Sequence, residues 1–148
     1  MAITSSSEPI QLVVLTPSKK VVEINCKDVS FPSGMGRLQI LPGHAELICQ
    51  VGTGVVYYTH ENSVGVCAVS GGVADIGDNK VTLLADIAED AYQIDPNRAQ
   101  TALDRAQSRL GGKAASQEKS LDMARAASSE EKAKARLEAA KMVSRDVK

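Results

Sequence analysis

Apolar residues recur at every second position from Ile10 to Asp86, and at every third or fourth position from Ile94 onward. This change of period constrains the fold more than any other feature. Side chains alternate between two faces along a strand, whereas a helix returns to the same face every 3.6 residues, so no single regular element can satisfy both patterns. The first part breaks into short runs rich in β-branched residues: IQLVVLT, KVVEINC, DVSFP, RLQIL, ELICQV, GVVYYTH, VGVCAV, GVADIG and KVTLLAD. Turn residues separate them at TPSKK, PSGMG, HENS and GDNK, the last a hairpin signal because Asp and Asn tolerate positive φ. Eight or nine short strands with such punctuation predict a β-sandwich or barrel.

The second part reads as two helices. In IDPNRAQTALDRAQSRLGG, Asp95 is placed as N-cap and Pro96 as the first helical residue. Ala99, Ala102, Leu103, Ala106 and Leu110 form an apolar stripe, and Gly111-Gly112 is the expected stop. A second helix is expected from near Ser116 towards Ser144, with Met123, Ala126, Ala133, Leu137 and Ala140 on one side. Ser128 and Glu131 have capping-box spacing, which predicts a kink or restart there. Alanine buries little area, so an antiparallel pair joined along these stripes is weakly held. A weakly docked hairpin suits a two-state element. The sequence thus predicts a rigid β platform at residues 1–89 and a mobile helical arm at residues 90–148.

Composition narrows the function. One Phe, three Tyr and no Trp leave little aromatic surface for stacking bases, which argues against nucleic acid as a partner. Residues 1–112 hold eight Lys/Arg against twelve Asp/Glu, a net −4, and residues 113–148 hold nine against six, a net +3. In that tail Glu130, Glu131, Lys132, Lys134, Arg136 and Glu138 interleave, as on a solvated helix face. Cys26, Cys49 and Cys67 are odd in number and match neither a disulfide framework nor a zinc spacing, so they read as free core thiols. Without an apolar run of roughly 20 residues or a hydrophobic leader, the chain is expected to be soluble and cytoplasmic.

Few parts for catalysis are present. His44 and His60 lack a second His, Cys or acid at ligand spacing. His44 follows Pro42-Gly43, which favours a type II turn, so its ring is expected near the surface at a strand end. Ser70 lacks the G-x-S-x-G frame of a nucleophile elbow, and the glycines after it suit a turn or bulge. Gly52 to Gly54 is too short for a dinucleotide fingerprint. The polar cluster with useful geometry is at the junction of the two parts. Arg98 and Arg105 are seven residues apart on one helix face, near the capping Asp95, with Glu89 upstream. Two arginines so placed can hold phosphate oxygens, and the carboxylates can accept from an adenine amino group or a ribose hydroxyl. Helix-surface ion pairs worth less than about 1 kcal/mol are the alternative.

LQILPGHAEL, VSGGVADIGDNKVTLLADIAEDA and IDPNRAQTALDRA, in this order, resemble the ε subunit of the bacterial rotary proton-translocating ATP synthase, the counterpart of mitochondrial δ. The resemblance covers about residues 8–110. It implies an α+β chain: an N-terminal antiparallel β-sandwich of about ten strands, followed by a C-terminal two-helix hairpin. It also implies a non-catalytic stalk subunit that couples the γ subunit to the c ring and inhibits ATP hydrolysis through its helices. The implied partners are the γ subunit, the c ring and, with the arm extended, the αβ catalytic hexamer. Its implied place is peripheral, on the cytoplasmic face of the bacterial inner membrane. The loop Ser33, Gly34, Met35, Gly36 and Arg37 is placed towards the c ring, and His44 in a turn near the stalk contact.

Some members of that family bind ATP on the folded hairpin through an I/L-D-x-x-R-A motif. Ile94, Asp95, Arg98 and Ala99 match it, with Glu89 at a further acidic contact and Arg105 at a later arginine. No cofactor is required, and ATP is the expected regulatory ligand. Arg125 and Arg136 remain alternatives for the contribution of the second helix. The chain departs from the family pattern at Gln39, where glycine is usual, and at Arg37, where an acid is frequent. The reading from a different class is a β-sandwich adaptor whose helical tail binds an unrelated protein or ligand.

Overall fold

The structure, a computed structural model, describes residues 8–111 and 119–146. Among these are eight strands: β1 Ile10–Leu15, β2 Lys20–Cys26, β3 Asp28–Ser33, β4 Gly36–Ile40, β5 Leu47–Gln50, β6 Thr53–His60, β7 Ser63–Gly77 and β8 Lys80–Asp90. A 3-10 turn at Ala91–Gln93 leads into α1, Pro96–Gly111, and α2 covers Lys119–Asp146. Gly112 and Ser116, where the first helix was expected to stop and the second to begin, lie outside the described residues, as does the side chain of Met123.

The sandwich is built by two strands that each serve both layers. The first half of β7 pairs with β6, from Ser63 opposite His60 to Ser70 opposite Thr53. Its second half pairs with β5, from Val73 opposite Gln50 to Ile76 opposite Leu47. β8 follows β7 along its length in antiparallel register, while its first half also pairs with β1. One layer is therefore β2, β1, the first half of β8, the second half of β7, and β5. The other is the second half of β8, the first half of β7, β6, β3 and β4.

Two sequence expectations change here. Eight continuous strands replace the expected ten or so, because β7 and β8 each supply a segment to both layers. VGVCAV and GVADIG are one strand, with Gly71 and Gly72 turning the corner at φ of 72° and 116°. The sheet is also not wholly antiparallel, since β1 runs parallel to β8. GDNK does form the β7–β8 hairpin, with Asp78 and Asn79 at φ of 50° and 55°, the sense of a type I′ turn.

Between the layers is an aliphatic core of Leu12, Val14, Val29, Ile40, Val56, Val81 and Leu83 around the single Phe31. A second cluster lies on the outer side of β6 and β7. There Val55, Val66 and Ala68 meet Leu137, Ala139 and Ala140 of α2, with Ala91, Ile94 and Ala99 from the junction and α1. Strand parity explains this: Val56 and Tyr58 point between the layers, and Val55 and Tyr57 point out under the helix.

α1 begins as expected, with Asp95 Oδ1 accepting from the Asn97 and Arg98 amides at 2.9 and 3.4 Å. Of its stripe, Ala99 and Ala106 are buried and Ala102, Leu103 and Leu110 half-buried. α2 is continuous through Ser128, so the helix does not restart there. Ala126, Ala133, Leu137 and Ala140 keep one buried face across that point, and Lys134 pairs with Glu130 at 2.6 Å one turn away. Packing of α2 from Ala126 to Ala140 outweighs the local capping preference.

The corner in β7 yields a stability prediction. A Cβ at Gly72 would collide with the Leu84 carbonyl, while one at Gly71 would meet the Asp86 carboxylate 2.5 Å away, at the end of a side chain that can move. Urea unfolding should show Gly72→Ala destabilised by roughly 3–5 kcal/mol and Gly71→Ala by about 1–2 kcal/mol. Equal losses would contradict the backbone collision.

Candidate functional site

The junction of the platform and the hairpin forms a groove of about 660 Å³, lined by Glu89, Asp95, Arg98, Thr101, Arg105 and Arg136 among others. Each side chain arrives for a local reason. Glu89 is near the end of β8, and Asp95 is held by its capping role. Arg98 and Arg105 project from the exposed side of α1, two turns apart, and Ala99 and Ala106 beside them face inward. Arg136 comes from α2 and forms an ion pair with Glu89 at 2.8 Å. With their side chains 32% and 36% exposed, that pair stabilises the docked helix by no more than about 1 kcal/mol.

All four groove residues anticipated from the sequence, Glu89, Asp95, Arg98 and Arg105, are therefore brought together. Of Arg125 and Arg136, the alternatives on the second helix, Arg136 lines the groove. Sequence spacing could not select it, because the distance from α1 to α2 depends on how the hairpin closes. Three arginines with two carboxylates give a groove rich in bidentate anion donors, flanked by hydrogen-bond acceptors. Its volume falls within the range of about 300–1,000 Å³ for small-molecule sites.

The residues expected at the rotor and stalk contact are spread over two loops. Ser33, Gly34, Met35 and Gly36 form the β3–β4 turn, closed by Ser33 Oγ donating to the Gly36 carbonyl at 2.6 Å and accepting from the Met35 amide at 3.2 Å. Met35 stands at its tip with its side chain fully exposed. Arg37 turns back from this loop onto the sheet. Its guanidinium donates to Ser30 Oγ at 2.9 Å and to the Val55 carbonyl at 2.7 Å, and lies over the Tyr57 ring, 5.1 Å from its centroid.

His44 closes the Leu41–His44 turn. Its amide donates to the Leu41 carbonyl at 3.1 Å, with Gly43 at φ of 81°, as a type II turn requires. Its Nδ1–H donates to the neighbouring Ala45 carbonyl at 2.7 Å. The Gly43 amide donates to Asn79 Oδ1 at 2.8 Å, which ties this turn to the β7–β8 hairpin.

Other reactive types have structural partners. Ser70 shares a hydrogen bond with Thr53 at 2.9 Å. Burial pushes the thiols of Cys26 and Cys67 up to about 11 and about 12 and raises that of Cys49, so all three stay protonated at neutral pH. All are free cysteines. Among the described residues, no cluster of three or more His, Cys, Asp or Glu is placed to hold a metal ion. Nor is any described helix long and apolar enough to cross a membrane. Tyr57 and Glu138, whose side chains meet at 2.7 Å, were not anticipated. The parity of GVVYYTH, which sends one Tyr to each side of the strand, was the available signal.

A two-layer β platform with a helical hairpin on one outer face, and an arginine-lined groove where they meet, defines the structural class. The family model for the beta-sandwich domain of the ATP synthase delta/epsilon chain matches residues 9–91. The ATP synthase epsilon chain of Desulfitobacterium hafniense is 39% identical over 130 residues, covering 88% of this chain and 95% of the relative. That of Nitratidesulfovibrio vulgaris is 37% identical over 128 residues, covering 86% and 92%. The chain belongs to the delta/epsilon family of ATP synthase subunits. Its fold also matches a chain of the Euglena gracilis mitochondrial ATP synthase, solved as OSCP/F1/c-ring, with a TM-score of 0.64 at 16% identity over 95% of this chain and 82% of the other. A chain from the central stalk and c-ring of the Tetrahymena thermophila enzyme gives a TM-score of 0.59 at 12% identity, over 88% and 96%.

Proposed function

We propose that this chain is a non-catalytic central-stalk subunit, coupling γ to the c ring of a rotary proton-translocating ATP synthase, and that its helical arm restrains ATP hydrolysis. The observation that carries the proposal is the arm's construction as a separable layer. α2 covers the outer face of β6 and β7 with small side chains, and the inter-layer core is complete without it. An arm of this kind can leave without unfolding the platform. In the extended form it reaches the αβ hexamer, and its net +3 over residues 113–148 favours acidic surfaces there.

The opposite face of the sandwich supports a protein partner. Ile48, Val73 and Leu84 are 73%, 41% and 49% exposed, and the register places them on the same side, with Leu15 opposite Leu84. We assign this face, whose exposed apolar residues are interspersed with Gln50, Asp75 and Thr82, to γ. The β3–β4 turn with Met35 and the turn with His44 are assigned to the rotor and stalk contacts. The complex then sits peripherally on the cytoplasmic face of the bacterial inner membrane.

We assign the groove to ATP. Arg98, Arg105 and Arg136 supply phosphate donors, and Asp95 and Glu89 supply acceptors for the base or ribose. Because Arg136 belongs to α2 and the other four to α1 and its approach, a bound polyphosphate ties the docked arm down. Such an open groove is expected to bind weakly, with a Kd between about 1 μM and 1 mM. That suffices to bias a two-state arm in proportion to its preference for the docked state.

Two outcomes follow. Ending the chain after Gln93 should leave γ binding intact and raise ATP hydrolysis by the assembled complex about fivefold, the low end of typical allosteric coupling; unchanged hydrolysis would remove the regulatory role. Millimolar ATP should shift the NMR signals of the Asp95 to Arg105 amides in the isolated chain, with Arg98→Ala or Arg136→Ala abolishing the shift. Signals that ATP leaves unmoved would return the cluster to surface ion pairing.

A further inference from the structure

Tyr57 joins three elements that are distant in sequence. Its hydroxyl donates to Glu138 Oε1 of α2 at 2.7 Å, and its ring packs in the cluster between β6 and the helix. Arg37 of β4 lies over that ring, 5.1 Å from its centroid. The guanidinium is itself fixed at two points, by Ser30 Oγ on β3 and the Val55 carbonyl on β6. A planar guanidinium held in this way keeps an aromatic ring in one orientation, which a flexible ammonium would do less well. Burial and the Glu138 acceptor push the Tyr57 hydroxyl up to about 12, so it remains a donor at neutral pH.

This contact is separate from the groove. Arg136 and Glu138 are two residues apart on α2, about 200° around the helix axis. The Glu89–Arg136 pair and the Tyr57–Glu138 bond therefore lie on opposite flanks of the buried strip carrying Ala135 and Ala139. A ligand in the groove acts on one flank only.

We propose that Arg37 is a positioning residue for the arm: by holding the Tyr57 ring it aims the hydroxyl at Glu138, and so links the β3–β4 hairpin to the docking of α2 without any nucleotide. Arg37 directly follows the turn tipped by Met35, and a displacement of that turn is transmitted to the ring. When Arg37 leaves its two anchors, Tyr57 loses its orientation and α2 loses a charge-assisted hydrogen bond. The proposal rests on the reading of a mobile arm, and it adds a second control to the one at the groove.

Hydrogen exchange on the full chain, without nucleotide, tests it through the opening equilibrium of the α2 amides at residues 137–143. Tyr57→Phe, which keeps the ring, and Glu138→Ala, at an exposed helix position, should each raise that equilibrium about three- to tenfold. Arg37→Ala should raise it as well, and should add nothing in the Glu138→Ala background, while the protection of β7 and β8 stays unchanged. Arg37→Ala without effect, or effects that multiply in the double variant, would overturn the proposal. If the mobile arm itself is wrong, the wild-type α2 amides will instead open only together with the sandwich, a result distinct from either of these.

Discussion

Burial of β6 and the first half of β7 on both faces is the constraint on which the rest of the molecule depends. Val56, Tyr58, Cys67 and Val69 pack between the layers, and Val55, Val66 and Ala68 pack outward under α2. These strands are the wall shared by two cores of different character. The inner one is filled by branched side chains from both layers around Phe31. The outer one is closed by a helix whose buried residues are mostly alanine, each removing far less apolar surface from water than a Leu or Val would. Platform and arm consequently differ in how firmly they are held, and the arm's position is sensitive to the few polar contacts at its edges.

Those polar contacts are the points at which the proposed arm would respond to a ligand or a partner. Glu89 and Arg136 tie one flank at the groove, and Tyr57 and Glu138 tie the other above Arg37. Neither pair is deeply buried, so in the proposed two-state arm each would adjust docking by an amount that a ligand or a partner can match. That balance is compatible with regulation, whereas a leucine-rich interface would keep α2 in place whatever was bound. Membership of the delta/epsilon family accounts for the platform, and the two flanks are where the proposed control of the arm would act.

Much of this was legible in the residues. The change of period located the passage from sheet to helix, Asp95 and Pro96 marked the start of α1, and Asp78-Asn79 and Pro42-Gly43 announced their turns. Strand continuity was not legible: Gly71-Gly72 has the composition of a break, and only the pairing of β7 with both β5 and β6 shows it to be a corner. Capping-box spacing at Ser128 and Glu131 predicted an interruption that packing of Ala126, Ala133, Leu137 and Ala140 overrides. Glu89, Asp95, Arg98 and Arg105 were readable because a single helix and its approach carry them. Arg136, Tyr57 and Glu138 were not, since their roles depend on the register of α2 against the sheet.

The central claim is that the arm is a separable layer on an independently stable sandwich. Urea unfolding of the full chain, followed simultaneously by helical circular dichroism and by the methyl NMR signals of Val14, Val29 and Leu83, tests it most directly. The account predicts that most of the helical signal is lost at a lower urea concentration than the methyl signals. Coincident loss of both in one transition would show that platform and arm form a single cooperative unit, and would contradict it.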